Sequence, residues 1–288
     1  MKHICYLLLG VILASITSGC EIHDEQTVSV KRKAAVFFRY HYDNGEVATL
    51  RDIRSMRMFI YKEGELYRDT LLPLHSVLAE GALMQTYLTR GKYTFVSWAN
   101  ISDSTSVTPA PLDEASLAPH TASAGCLMYG KFETPVVKGD SLYFDIDLFK
   151  SVFKINVLVT GLEKTPYPEH HFFGIYNRET LDFFNRPSGA MKLYHPDLTY
   201  DNGHLSGSFY TPYFNEGEDL TIGIYCDHPE SQYTRLCETT ISDFANIVKE
   251  AVGHDVEIDV KIEIRDAGIE ITVSDWEGTI IQDEHLGN

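Results

Sequence analysis

The chain has 288 residues, 44% of them hydrophobic and 12% aromatic, which is enough to fill the cores of two ordinary domains. A formal charge of −17 makes nucleic acid and anionic lipid poor partners for the molecule as a whole. Its five cysteines show no CxxC or Cys/His spacing, so the sequence offers no zinc site.

The first element is an apolar run from Ile4 to Ile16, behind Met1-Lys2-His3. Its 13 residues fall short of the roughly 20 needed to cross a bilayer. A charged start, a short apolar centre and a small-residue exit are the parts of a secretory signal. The other reading, a buried helix, lacks a polar face and a cap. Ser18-Gly19-Cys20 resembles the lipobox of bacterial lipoproteins, in which the cysteine is lipidated and the chain is cut just before it. The resemblance departs at Thr17, where the lipobox usually has leucine. It implies that residues 1–19 are a lipoprotein signal peptide, that Cys20 is the lipid attachment site and that residues 20–32 are a lipidated tether. Ordinary secretion is the alternative. Each buried methylene contributes about 0.8 kcal/mol, so several acyl chains hold a protein where one would not. Glu21, Asp24 and Glu25 resemble the surface-export signal of Bacteroides-type lipoproteins, with a plain solvated tether as the alternative.

Period-2 alternation then recurs almost throughout, which predicts β-structure. In "AVFFRYHYDNGE", Val36, Phe38, Tyr40 and Tyr42 share a face and Asp43-Asn44-Gly45 is a turn. "MRMFIYKEGELYRDTLL" reads as a hairpin with Glu63-Gly64-Glu65 at its tip, and "ALMQTYLTRGKYTFVSWAN" as a second turning at Arg90-Gly91. Residues 100–124 are rich in Ser, Thr, Pro and Ala without periodicity and read as a long loop. In "DSLYFDIDLF", Leu142, Phe144, Ile146 and Leu148 point one way and Asp145 and Asp147 the other. "SVFKINVLVTGL" restarts the cycle with Phe153, Ile155, Val157 and Val159 on one face, which places a domain boundary near Phe149. "ISDFANIVKEAVG" spaces Phe244, Ile247, Val248 and Ala251 for one short amphipathic helix, capped by Ser242 and stopped by Gly253. The clearest pattern is "HDVEIDVKIEIRDAGIEITVSDW", a hairpin with Val256, Ile258, Val260, Ile262 and Ile264 inward and one wet side. The expected fold is all-β: two tandem β-sandwiches, 33–148 and 149–288, with the short helix in the second.

Candidate chemistry is sparse. The pairs Asp145/Asp147 and Glu257/Asp259 share strand faces, as a carboxylate pair would need, but so does any solvated strand. His170 and His171 are adjacent and so point apart, which suits no metal. There is no nucleophile elbow, phosphate loop or dinucleotide fingerprint, so no enzyme, cofactor or metal role is expected. Cys226 and Cys237 bracket "DHPESQYTRL" and are a candidate disulfide across neighbouring strands, unless they are ordinary core residues. "HHFFGIYN" and "TLDFFNRPSGAMKLYH" are aromatic-rich: either sandwich core or a surface that stacks on sugars, with Phe183 and Tyr194 as the residues to test.

Several of these stretches together resemble the FimB-type anchor lipoproteins of Bacteroides-type (type V) fimbriae, within the fimbrillin superfamily. They are "FFRYHYDNGE", "IRSMRMFIYKEGELY", "LTRGKYTFVSWANI", "LFKSVFKINVLVTGL" and "IEITVSDW", in that order behind the lipobox. The resemblance implies transthyretin-like Greek-key sandwiches, no catalysis and a lipid-anchored place in the cell outer membrane, exposed at the surface. It implies a subunit that holds the fimbrial shaft and limits its length, with the shaft subunit as partner through strand addition. Shaft subunits of the superfamily are trimmed after a basic residue near the N-terminus. Arg32 and Lys33 offer such a site here, and an anchor is expected to leave it uncut. A surface glycan-binding lipoprotein is the alternative.

Overall fold

Strands that alternate strictly must bury one face, and the chain does so in two successive sandwiches. The computed structural model describes residues 33–42, 45–46, 48, 53–72, 82–101, 106–119, 127–135, 142–231, 234–242, 244, 257–266, 268–274 and 279–284. The signal segment, Cys20, the tether and all but Ser242 and Phe244 of the expected helix lie outside these residues.

The first strands are β1 (Lys33–Tyr42), β2 (Met56–Lys62), β3 (Glu65–Leu71), β4 (Ala82–Tyr87), β5 (Tyr93–Ala99), β6 (Ser106–Thr108), β7 (Ser116–Ala118), β8 (Met128–Glu133) and β9 (Leu142–Lys150). One layer of the N-terminal sandwich runs β3-β2-β5-β8 and the other β9-β1-β4. β1 lies between β4, antiparallel, and β9, parallel. At the end of β9, Phe149 and Lys150 bend across to pair with β8 and join the layers. Tyr40, Met58, Ile60, Phe95, Ile146 and Leu148 fill the space between.

Ser151 alone separates β9 from β10 (Val152–Thr160). Two 3-10 turns, Leu162–Lys164 and Pro168–His170, lead to β11 (His171–Asp182), β12 (Pro187–Tyr194), β13 (Thr199–Asp201) and β14 (His204–Pro212). β15 (Leu220–Cys226), β16 (Arg235–Ile241), β17 (Glu257–Arg265), β18 (Gly268–Ser274) and β19 (Thr279–Glu284) follow. The plan repeats. β10 lies between antiparallel β14 and parallel β17, while β11, β12, β15 and β16 form the opposite layer. Phe153, Ile155, Val157 and Val159 of β10 and Ile258, Val260, Ile262 and Ile264 of β17 pack on Phe173, Ile175, Ile222 and Ile224. The transthyretin-like Greek-key arrangement is therefore present twice. Among the described residues only the second copy continues past its parallel strand, with β18 and β19 added beside β17.

Two local expectations are corrected. The Glu63-Gly64 hairpin forms, with φ of 53° and 90° as a tight two-residue turn needs. The second hairpin does not: β4 pairs with β1, and β5 with β2 and β8, so residues 88–92 cross between layers. Leu88, fully buried, anchors that crossing. The long loop also contains structure. β6 and β7 pair with each other, and Leu117 and Ser116 of β7 pair with Leu181 and Asp182 of β11. A segment between two strands of the first sandwich is thus a hairpin strap on the sheet of the second.

Candidate interaction surfaces

The strap builds the junction. Phe59, Tyr61, Val96, Trp98 and Tyr129 project from the outer face of β2-β5-β8 and meet Ala115 and Leu117 of the strap and Leu181 and Phe183 of the second sandwich. Phe183 is fully buried, with ring centroids 4.8 Å from Phe59, 6.0 Å from Tyr61 and 6.1 Å from Trp98. Tyr129 Oη donates to the Phe183 carbonyl at 2.9 Å. An outer sheet face that would otherwise be wet has become a second core.

This placement answers the question of the aromatic stretches. Phe183 belongs to the junction, and half-buried Tyr194 packs against the core of the second sandwich. Burial pushes the Tyr194 phenol up to about 12, helped by the Glu179 charge. The aromatics nearer the surface cover one another. Phe172 stacks on His195 at 4.2 Å and on Tyr225 at 5.6 Å, and Tyr167 stacks on His228 at 3.7 Å. Tyr225 lies over the cross-strand pair Gly174 and Gly223, where a Cβ on Gly174 would come within 2.5 Å of its ring. Its hydroxyl donates to Glu238 at 2.6 Å, and burial followed by that bond holds the phenol far above its ordinary range. Ring faces spent on neighbours are poor platforms for sugars.

The histidines separate as their adjacency requires. His170 ends a 3-10 turn and its Nδ1 donates to Asp227 at 3.1 Å. His171 opens β11 and turns inward, its Nδ1 donating to the Tyr167 carbonyl at 3.0 Å. Burial pulls its pKa down, against an upward pull from that bond. Among the described residues no group of three or more His, Cys, Asp and Glu could hold a metal.

The paired acids lie on open strand faces. Asp145 and Asp147 stand in parallel register with Arg39 and His41. Glu257 accepts from Lys154 at 3.0 Å and from Asn156 at 3.3 Å, and these bonds, outweighing slight desolvation, hold its carboxyl below the usual range. These are cross-strand ladder contacts. Cys226 and Cys237 are both buried, and no disulfide joins them. Cys237 sits opposite Ile224, and an irregularity after Ile224 sets Tyr225 opposite Arg235. Cys226 NH then donates to the Thr234 carbonyl, while Cys237 stands opposite Ile224, two residues back along β15. Two residues along a strand and one step across give a Cα separation of roughly 8 Å, beyond the roughly 7 Å reach of a disulfide. No described helix is long and apolar enough to cross a membrane.

The model of the Fimbrillin-A associated anchor proteins Mfa1 and Mfa2 matches residues 18–281. The chain belongs to this Mfa2 family. The fimbrial anchor protein Mfa2 from Porphyromonas gingivalis is 14% identical, with a TM-score of 0.62 over 86% of this chain and 99% of that one. A candidate adhesin from Bacteroides ovatus gives 13% identity and a TM-score of 0.64, covering 88% of this chain and 96% of that one. A structure from Bacteroides thetaiotaomicron described as candidate polysaccharide-binding proteins gives 12% and 0.61, covering 88% and 98%. At these identities the likenesses concern the fold. No curated protein matches.

Proposed function

We propose that this member of the Mfa2 family is a non-catalytic lipoprotein of the cell outer membrane that attaches a fimbrial shaft to the cell and limits its length. The observation that carries the reading is the extent of the family match, which begins at Ser18 and so takes in Cys20 of the lipobox. In this reading residues 1–19 are removed, Cys20 carries the lipid, residues 20–32 form the tether and the sandwiches 33–148 and 149–288 form the body. Arg32 and Lys33 stay uncut, because cleavage there would part the lipid from the body.

The shaft subunit joins by adding a strand, its backbone supplying affinity and its side chains specificity. A comparison of the two sandwiches supports one edge. β17 carries β18 on the side away from β10. On the equivalent side of β9, no described strand pairs with Phe144–Leu148. The glycan-binding alternative is not supported, since Phe183 and Tyr194 pack into cores.

The test is a Cys20→Ala chain expressed in the native host. Fimbriae should then be shed or grow abnormally long. Unchanged attachment and length would refute the anchor role, while mass spectrometry of the native N-terminus reads lipidation separately.

A further inference from the structure

The two sandwiches treat the acids of their parallel strands differently. β9 and β17 are equivalent: each lies parallel to the first strand of its sandwich, β1 or β10. Each carries an alternating pair of exposed carboxylates, Asp145 and Asp147 on β9 and Glu257 and Asp259 on β17. Those of β17 are engaged from β10. Lys154 and Asn156 donate to Glu257, and Asn156 also donates to Asp259 at 2.7 Å. Asp145 and Asp147 stand in register with Arg39 and His41, yet neither makes a hydrogen bond or ion pair among the described residues.

The far side of β17 shows the form that a strand added beside β9 would take. β18 runs antiparallel there, with Ile271 opposite Ile262 and Val273 opposite Val260. All four are buried, so alternate residues of the added strand complete the core and those between them stay on the outer face. Acids that meet on that outer face need a base. Glu263 stands directly opposite Glu270, and Arg265 pairs with both, at 3.1 Å and 2.5 Å. On β9, Ile146 and Leu148 are buried like their counterparts in β17. The neighbours of Asp145 and Asp147 along the same face are Tyr143 and Phe149, so β9 supplies no base of its own.

We propose that the strand taken up by β9 runs antiparallel to it and alternates apolar residues, facing Ile146 and Leu148, with lysine or arginine, facing Asp145 and Asp147. The inference rests on the strand-addition reading above and adds the direction and the side chains of the partner. Backbone pairing supplies affinity to any extended segment, and the two charge pairs decide between candidate segments. An acidic segment would set four carboxylates along one edge, and so would β9 of a second copy.

The experiment uses the chain from position 20 onward with Cys20→Ser and two short fluorescent peptides, one alternating valine with lysine and the other valine with glutamate. By anisotropy the lysine peptide should bind. The glutamate peptide should bind at least about tenfold more weakly, because two opposite-charge pairs become two like-charge pairs. The variant Asp145→Lys/Asp147→Lys, with unchanged circular dichroism, should reverse that order. Binding should slow amide exchange over Phe144–Leu148, and a spin label on the N-terminus of the lysine peptide should broaden the Leu148 amide more than that of Phe144. Equal affinities with slowed exchange would overturn the basic rule and leave strand addition at this edge standing. Binding of neither peptide, or slowed exchange only elsewhere, would overturn both. An order of affinities that survives in the variant, or stronger broadening at Phe144, would also overturn the proposal. The anchor role is read separately, from fimbriae on cells carrying Cys20→Ala.

Discussion

Replacing Phe183 by alanine separates a junction core from a ligand surface. The ring is fully buried between Phe59, Tyr61 and Trp98. A buried aromatic removes about 150–250 Å² from water, which at about 25 cal/mol per Å² is on the order of 4–6 kcal/mol for the whole side chain. Alanine retains its Cβ and the site relaxes in part, so the expected cost is about 3–5 kcal/mol. Phe183→Leu keeps most of the volume and should cost about 1–2 kcal/mol. Urea unfolding followed by tryptophan fluorescence is a direct assay, because Trp98 lies 6.1 Å from the Phe183 ring. With a slope of about 3 kcal/mol per molar, the alanine variant should unfold about 1 M earlier or more. Its Trp98 emission should shift to the red first, since the junction loosens before either sandwich core. A midpoint within about 0.2 M of the parent would mean that the ring bears no load. The reasoning from burial would then be wrong.

Two hydroxyls of that junction should behave oppositely. Tyr61 Oη is buried with no hydrogen-bond partner, so Tyr61→Phe should leave stability unchanged or raise it by up to about 1 kcal/mol. Tyr129→Phe orphans the Phe183 carbonyl and should cost about 1–3 kcal/mol; equal effects in thermal melts would defeat the distinction. Gly161 has φ of 86° and its added Cβ would strike the Ile264 carbonyl oxygen, so Gly161→Ala should cost more than about 1 kcal/mol by calorimetry and not stabilise as at a relaxed site. His171 has its pKa depressed mainly by burial, so the unfolded chain binds the extra proton first. Its contribution is whole above the unfolded value of about 6.5 and is lost as pH falls through that value toward the folded one. His171→Gln should flatten that part of the stability-against-pH curve, and an unchanged slope would count against the assignment.

What the sequence could reveal followed from whether a signal was local. The β17–β18 hairpin was legible residue by residue: Ile258, Val260, Ile262 and Ile264 are buried, and so are Ile269, Ile271 and Val273 beyond the turn. The β4–β5 crossing was not, because a turn at Arg90-Gly91 between two alternating strands looks the same whether they pair or part. The choice is made by β1, more than 40 residues earlier, which claims β4. The strap was missed because three-residue strands are too short to display a period of two. Its apolar contacts, Val107, Leu112 and Leu117, are spaced by the surface they cover. The cysteine spacing suggested neighbouring strands correctly, but a single irregularity after Ile224 moved the register out of reach. The junction was harder still: it draws on Phe59, Trp98, Leu117 and Phe183, and no sequence window contains them together.

The repeat within the chain is informative because it is imperfect. Both sandwiches set a first strand between an antiparallel neighbour and a parallel last strand. Had the two copies only a packing role, each would be expected to finish its sheet alike, since an unpaired edge costs solubility and invites aggregation. They differ. β17 is followed by β18 and β19, whereas β9 passes after Ser151 into the next domain, and no second described strand pairs with Phe144–Leu148. Along that edge the outward residues are Tyr143, Asp145 and Asp147, and two carboxylates are a charge barrier to indiscriminate pairing. A strand that carries basic residues at the facing positions would pass the barrier, and identical copies of β9 would not. If the shaft subunit adds its strand at this edge, as proposed, reversing both charges, Asp145→Lys/Asp147→Lys, should abolish its capture while leaving the fold intact. If fimbriae remain attached to cells carrying that variant, the partner strand adds elsewhere.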